Sequence, residues 1–144
     1  KIGEAKNILL YDDYAHHPRE IQATLQAAKA KFPGHKLTAI FQPHTYSRTK
    51  ALFADFARSF TAANEVLVLP IYASARETAD PTVSSSQLVE AIAKTGHPSA
   101  HFVASVTDLV KYLKANLQSG QVIFTLGAGD IYLTHGLIIA ALSA

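Results

Sequence analysis

Asn7-Ile8-Leu9-Leu10-Tyr11-Asp12-Asp13-Tyr14-Ala15-His16-His17-Pro18 is the stretch on which the fold turns. Asn7 to Asp12 is a short apolar run bounded by polar residues and predicts a buried strand. Pro18 suits the first position of a helix, and Ile21, Leu25, Ala28 and Phe32 then recur on one helical face until Gly34 stops it. Strand, polar loop and amphipathic helix make one β-α unit. The pattern repeats along the chain. Lys36 to Gln42, Glu65 to Ile71, Ala100 to Ala104 and Gln121 to Leu126 predict four more strands, with Pro70 acceptable only at the very end of its strand. Between them lie a helix carrying Leu52, Phe53, Phe56, Ala57 and Phe60, and a helix from Ser85 to Lys94 behind a Ser84–Gln87 capping box. Leu109, Val110, Leu113 and Leu117 follow behind Ser105 and Asp108, and Asp130 to Leu142 forms the last helix. Five such units predict one α/β domain over residues 1–144: a doubly wound, mainly parallel sheet with helices on both faces.

Composition narrows the function classes. A chain of 144 residues buries about 70% of its unfolded surface and needs no disulfide or metal to hold a core. With 49% apolar and 17% charged residues, disorder is excluded. The absence of cysteine removes disulfide scaffolds, zinc–thiolate sites and thiol nucleophiles. A net charge of +2, with Lys and Arg scattered, gives no basic stripe for a nucleic acid. The apolar run Gly136 to Leu142 is too short for a membrane, and no secretion signal opens the chain, so a cytoplasmic domain is expected. The opening Lys1-Ile2-Gly3-Glu4, without Met, reads as a piece of something longer.

Ligands of a doubly wound sheet gather beyond the carboxyl ends of the strands, so the strand-to-helix loops carry the functional reading. In the first, two carboxylates, a phenol and two imidazoles precede a helix N-terminus, where unpaired N–H groups favour a phosphate and a carboxylate could hold ribose hydroxyls. The alternative is that one Asp and one His cap the helix and the others face water. The second, Phe41-Gln42-Pro43-His44-Thr45-Tyr46-Ser47-Arg48-Thr49, offers the planar fork of Arg48 to a carboxylate or phosphate, with His44 and Tyr46 beside it. Its alternative is a surface Arg48 stacked on Tyr46, with Ser47 or Thr49 capping the next helix. Neighbouring strand ends would put both loops over one crevice. Gly127-Ala128-Gly129-Asp130-Ile131 either admits a ligand close to the backbone or lets the last helix pack tightly, with Asp130 complementing the helix dipole. His35, His97 and His101 fall in or beside turns and are expected in solvent, and His135 packs within the last helix. There is no P-loop and no G-x-S-x-G elbow. His16, His17, His44 and the Asp pair do not have the spacing of a metal site, so none is assigned.

D-D-Y-A-H-H-P at 12–18, F-Q-P-H-T-Y-S-R-T at 41–49 and G-A-G-D-I at 127–131 together resemble the signatures of the C-terminal domain of the Mur ligases, ATP-dependent amide ligases of peptidoglycan precursor synthesis. Within that family the pattern is similar to the branch that joins L-alanine to UDP-N-acetylmuramate. The resemblance covers the whole chain and implies a Rossmann-like lid. The remaining N-terminal and central domains of the same enzyme would bind the UDP-sugar and carry the P-loop and the Mg2+ ligands. The implied reaction phosphorylates the lactyl carboxylate, and the amine of L-alanine then displaces phosphate from the acyl phosphate. By resemblance, Asp13 and His16 bind nucleotide, and Tyr14, His16, His44 and Arg48 bind the amino acid. Tyr46, Gly127, Gly129 and Asp130 support the site. No catalytic residue and no metal ligand is assigned to this chain, so alone it is expected to be inactive. Thr45 stands where many members carry a basic residue, so no role for that charge carries over.

Three rivals remain. A receiver-type signalling module would use the Asp12–Asp13 pair, but it needs a further acceptor Asp after the third strand and a Lys after the fifth, where Ile71-Tyr72-Ala73 and Leu126-Gly127-Ala128 stand. A stand-alone nucleotide-binding module is the second. The lid of the murein tripeptide recycling ligase shares the first motif but not the second.

Overall fold

In the computed structural model, which describes residues 1–144, the opening stretch folds as the pattern requires. Strand β2 (Ile8–Asp13) runs into helix α1 (Pro18–Lys31), with Pro18 at its start. Strand β3 (Lys36–Phe41) is followed by two short helices, α2 (Tyr46–Ala51) and α3 (Phe53–Ala57), and by β4 (Glu65–Val68). Then come α4 (Ser85–Lys94), β5 (Ala100–Phe102), α5 (Val106–Asn116), β6 (Gln121–Leu126) and α6 (His135–Ser143). A three-residue strand, β1 (Gly3–Ala5), precedes them all. The strand order is β1-β2-β6-β3-β4-β5, parallel throughout except for β1.

The sheet is covered on both faces, and the alternation of side chains along each strand separates two cores. Leu37, Ala39 and Phe41 pack with Ile21, Leu25, Phe56, Phe60, Leu88 and Ile92 on the side of α1, α3 and α4. Ile40, Leu67 and Ile123 pack with Leu109, Leu113, Ile138 and Leu142 on the side of α5 and α6. Leu25 is fully buried, so Leu25→Ala would cost about 2–5 kcal/mol through lost transfer energy and the cavity left behind.

Four details differ from the sequence reading. β1 was not expected: Lys6 and Asn7, at φ 51 and 62, make a two-residue turn that pairs Ala5 with Ile8. The single helix expected after β3 breaks at Leu52, whose φ and ψ of -111 and 19 leave the helical region. The last helix begins as a 3-10 turn at Ile131–Thr134. The loops after β2 and β3 do not sit on neighbouring strands, because β6 returns between them. At about 4.8 Å per strand, the two loops therefore flank the Gly127–Asp130 turn from roughly 10 Å apart.

Candidate functional site

Helices α1, α3 and α4 follow their strands onto one face and α5 and α6 onto the other, so the chain changes sides around β6. The carboxyl ends of β2, β6 and β3 thus frame the crevice where doubly wound folds take ligands. Hydrogen bonds join the three tips: Gly127 N–H donates to the Asp13 carbonyl at 3.3 Å, and Gln42 N–H to the Leu126 carbonyl at 3.0 Å.

On the β2 side, His17 rather than an Asp caps α1. Its Nδ1 accepts from Arg19 N–H at 3.3 Å, and Glu20 answers by accepting from His17 N–H at 3.0 Å. Asp13 accepts from Ala15 N–H at 2.8 Å through one oxygen and from the Thr24 hydroxyl at 3.1 Å through the other. Each oxygen keeps a lone pair for a further donor. Asp13 also borders a groove of about 460 Å³ lined by Tyr11, Thr24, Lys31 and Phe124. Tyr14 is 68% exposed, with its ring edge-on to His16 at 5.4 Å. His16 Nδ1 lies 3.1 Å from the Tyr14 carbonyl, so the neutral ring carries its proton there and leaves Nε2 as an acceptor.

On the β3 side, one guanidinium nitrogen of Arg48 donates to His44 Nδ1 at 3.2 Å and to the His44 carbonyl at 3.4 Å. Arg48 therefore turns to His44 and not to Tyr46. It makes no ion pair, although it is half-buried. Burial, and then the charges of Arg48 and His16, hold His44 below its ordinary value of 6.5, which keeps Nδ1 free to accept. Thr45, not Ser47 or Thr49, caps α2 by accepting from Arg48 N–H at 3.2 Å. Its φ of 68 is strained for a β-branched residue. Tyr46 lines a small pocket with Pro70, Ile71 and Phe102, and its contribution to the site comes through its backbone.

Three residues missed by sequence reasoning hold this rim together. Buried Gln42 donates to Asp130 at 2.8 Å and accepts from Ile131 N–H at 3.1 Å. The Asp130 carboxylate thus binds an amide and makes no helix-capping bond. Tyr72 pairs with the second loop through its own backbone, and its ring stacks on His44 at 5.5 Å. Glu77 accepts from the N–H groups of Tyr46 and Ser47, both at 2.8 Å. No local pattern announces partners thirty residues away. Gly127 and Gly129 serve the same packing: a Cβ on Gly129 would stand 2.7 Å from Gln42 Oε1 and Tyr72 Cγ, and one on Gly127 would stand 2.9 Å from the Gln42 carbonyl.

Among the other histidines, His35 and His101 are exposed, as expected, whereas His97 and His135 have structural partners. His97 Nε2 lies 2.8 Å from the Ala63 carbonyl, so it is a half-buried strut and not a solvated turn residue. His135 donates to Thr125 at 2.8 Å, beside Asp12 at 3.3 Å, which links α6 to β6 and β2. No three His, Cys, Asp or Glu side chains gather into a metal-holding group. No helix is long and apolar enough to cross a membrane.

Comparison with known proteins places this rim in a family. Residues 1–129 match the model of the Mur ligase glutamate ligase domain. The chain is 47% identical over 131 residues to UDP-N-acetylmuramate–L-alanine ligase of Desulfitobacterium hafniense, covering 91% of this chain and 29% of that protein. Among solved structures, UDP-N-acetylmuramate–alanine ligase of Thermotoga maritima matches at a TM-score of 0.75 and 30% identity, over 94% of this chain and 26% of that one. A murein peptide ligase of Psychrobacter arcticus matches at 0.77 and 28% identity, over 97% of this chain and 28% of that one. The backbones do not separate these two ligases.

Proposed function

This chain belongs to the Mur ligase family, and from that premise we propose that it is the C-terminal domain of an enzyme that joins L-alanine to UDP-N-acetylmuramate with ATP. The chain spans about 29% of the length of the curated relatives it matches, so the remaining domains supply the UDP-sugar site, the P-loop and the Mg2+ ligands in this reading. The L-alanine branch is favoured over murein peptide recycling by the 47% identity to an L-alanine ligase.

One observation carries the reading: a half-buried guanidinium that hydrogen-bonds a histidine and has no carboxylate within ion-pair distance. Such a group calls for an anion, and its planar fork suits the carboxylate of an amino acid. Neutral His44 orients Arg48 without competing for that anion, as an acidic partner would. Tyr14 and His16 stand on the opposite lip, where a phenol and a free Nε2 can meet the amino acid or a phosphate. Asp13 offers its spare lone pairs to the ribose hydroxyls of ATP, whose phosphoryl group activates the acceptor carboxylate when bound. The amine is left free to attack, since the contacts to L-alanine from this domain are with its carboxylate end.

In the full-length ligase, Arg48→Ala should raise the KM for L-alanine by about 10- to 100-fold, the worth of a charge-assisted pair, with the KM for ATP little changed. An unchanged KM for L-alanine removes the clamp. The isolated chain, given ATP, Mg2+, UDP-N-acetylmuramate and L-alanine, should show no turnover. Ligation at enzymatic rates would refute the division of labour between domains.

A further inference from the structure

We infer that Glu77, assisted by Tyr72, is a positioning residue that holds the His44–Arg48 loop in the geometry that grips the amino-acid carboxylate. This rests on the reading of Arg48 given above. Tyr72 and Glu77 lie in the long connection between β4 and α4, which has no helix or strand of its own, so the entropy lost in ordering it must be offset by contacts. The connection meets the Arg48 loop at successive points. Thr45 N–H donates to the Tyr72 carbonyl and Tyr72 N–H to the Pro43 carbonyl, both at 2.8 Å. The Tyr72 ring lies nearly parallel to that of His44, with an interplanar angle of 20°. Glu77 then spans the first two amides of α2, one to each carboxylate oxygen. Beyond it, Lys50 and Asp80 form an exposed ion pair at 3.3 Å, which contributes little energy but continues the seam.

The consequence for Arg48 is direct. α2 has only six residues, too few to be stable by itself, and its first two N–H groups, those of Tyr46 and Ser47, would otherwise be bare. Glu77 satisfies them and fixes the turn from which Arg48 projects one residue later. The same contact assigns the binding work. With the Tyr46 and Ser47 amides occupied by a carboxylate of the protein, an incoming anion must be held by the guanidinium and not by the helix end. Burial alone would push the Glu77 carboxyl up, yet hydrogen bonds led by Ser47 and Tyr46 outweigh it and hold the group below its ordinary value of 4.5. The charge is therefore present wherever a cell-like pH prevails. Strain points the same way. Thr45 keeps its φ of 68 because Tyr72, Arg48 and Thr49 all bond to it, so the brace also maintains a conformation the segment would otherwise leave.

The test uses Glu77→Ala and Glu77→Gln, with Tyr72→Leu as a second route to the same loop should either Glu77 variant fold poorly. Two readouts keep the brace separate from the reaction. In the 144-residue chain, Glu77→Ala should speed amide exchange at Tyr46 and Ser47 by about tenfold or more, with Glu77→Gln, which still accepts, in between. In the full-length ligase, Glu77→Ala should raise the KM for L-alanine at least about fivefold while kcat falls less, and Glu77→Gln should recover part of the loss. Unchanged amide protection overturns the brace. Faster exchange with an unchanged KM, in an enzyme where Arg48→Ala does raise it, overturns the positioning role and leaves Arg48 standing. If neither Arg48→Ala nor Glu77→Ala moves the KM, the proposal falls together with the reading it rests on.

Discussion

At the amino ends of the strands Glu65 lies 4% exposed with all its partners inside the fold, whereas at the carboxyl ends Arg48 is half-buried without an acidic partner. Glu65 accepts from the Tyr112 hydroxyl, from Thr38 at 3.1 Å and from Lys36 at 3.0 Å, and Gln121 donates onward to Thr38 at 2.7 Å. That network is closed, and no buried side-chain polar atom of the molecule lacks a partner. The opposite rim is closed in its backbone and open in its charge. A saturated cluster stabilises; an unsaturated one waits for a ligand. Both are polar groups at sheet ends, so residue type alone does not distinguish them.

The largest effect expected from this contrast is on stability. Glu65→Ala should cost about 3 kcal/mol in denaturant unfolding, because it strands the Tyr112, Thr38 and half-buried Lys36 groups that bond one buried carboxylate, and should leave the KM for L-alanine unchanged. A shifted KM would break the contrast. Arg48→Lys sharpens it from the other side: charge is kept but the fork is lost, so the KM for L-alanine should rise about tenfold with unfolding altered by less than about 1 kcal/mol. Smaller again is the strain at Thr45. Thr45→Ala loses the cap but keeps the strained backbone, while Thr45→Gly loses the cap and relieves it, so Gly should be the more stable variant by about 1 kcal/mol.

The smallest effects are in pH dependence, and the two ends differ in cause. Burial pushes Glu65 up, but Tyr112, Lys36 and Thr38 outweigh it and hold it below 4.5. Its stabilisation is thus complete above the unfolded value and is lost as pH falls through the lower folded one. His44 also sits below its ordinary value of 6.5, so the unfolded chain takes up that proton first and stability declines as pH drops from 6.5 towards the folded value. In Arg48→Ala, NMR titration should find the His44 value raised but still below 6.5, since burial, the largest cause, remains. A value at or above 6.5 would show that Arg48, not burial, dominates.

The apolar spacing of Ile21, Leu25 and Ala28 and the strand runs made the layered sheet legible, because burial imposes those periods locally. β1 was hidden: three residues with a Lys6-Asn7 turn carry no hairpin signal of the Asn-Gly kind. The two polar loops were legible as chemistry, since Arg48 and Asp13 have few other reasons to precede helices. Gln42, Tyr72 and Glu77 were not, because their importance lies in partners at 88, 27 and 31 residues' separation, respectively. Strand order mattered as well. Only with β6 between β2 and β3 does the glycine turn become the floor between the lips.

The side-chain amide of Gln42 bridges that floor to one lip, and with Glu77 and Tyr72 it leaves the rim with little internal slack. A ligand arriving there meets a mould already set. Apart from the exposed Tyr14, few groups have freedom left to lose, so the entropic cost of capture falls on bringing bodies together and not on ordering the surface that receives them.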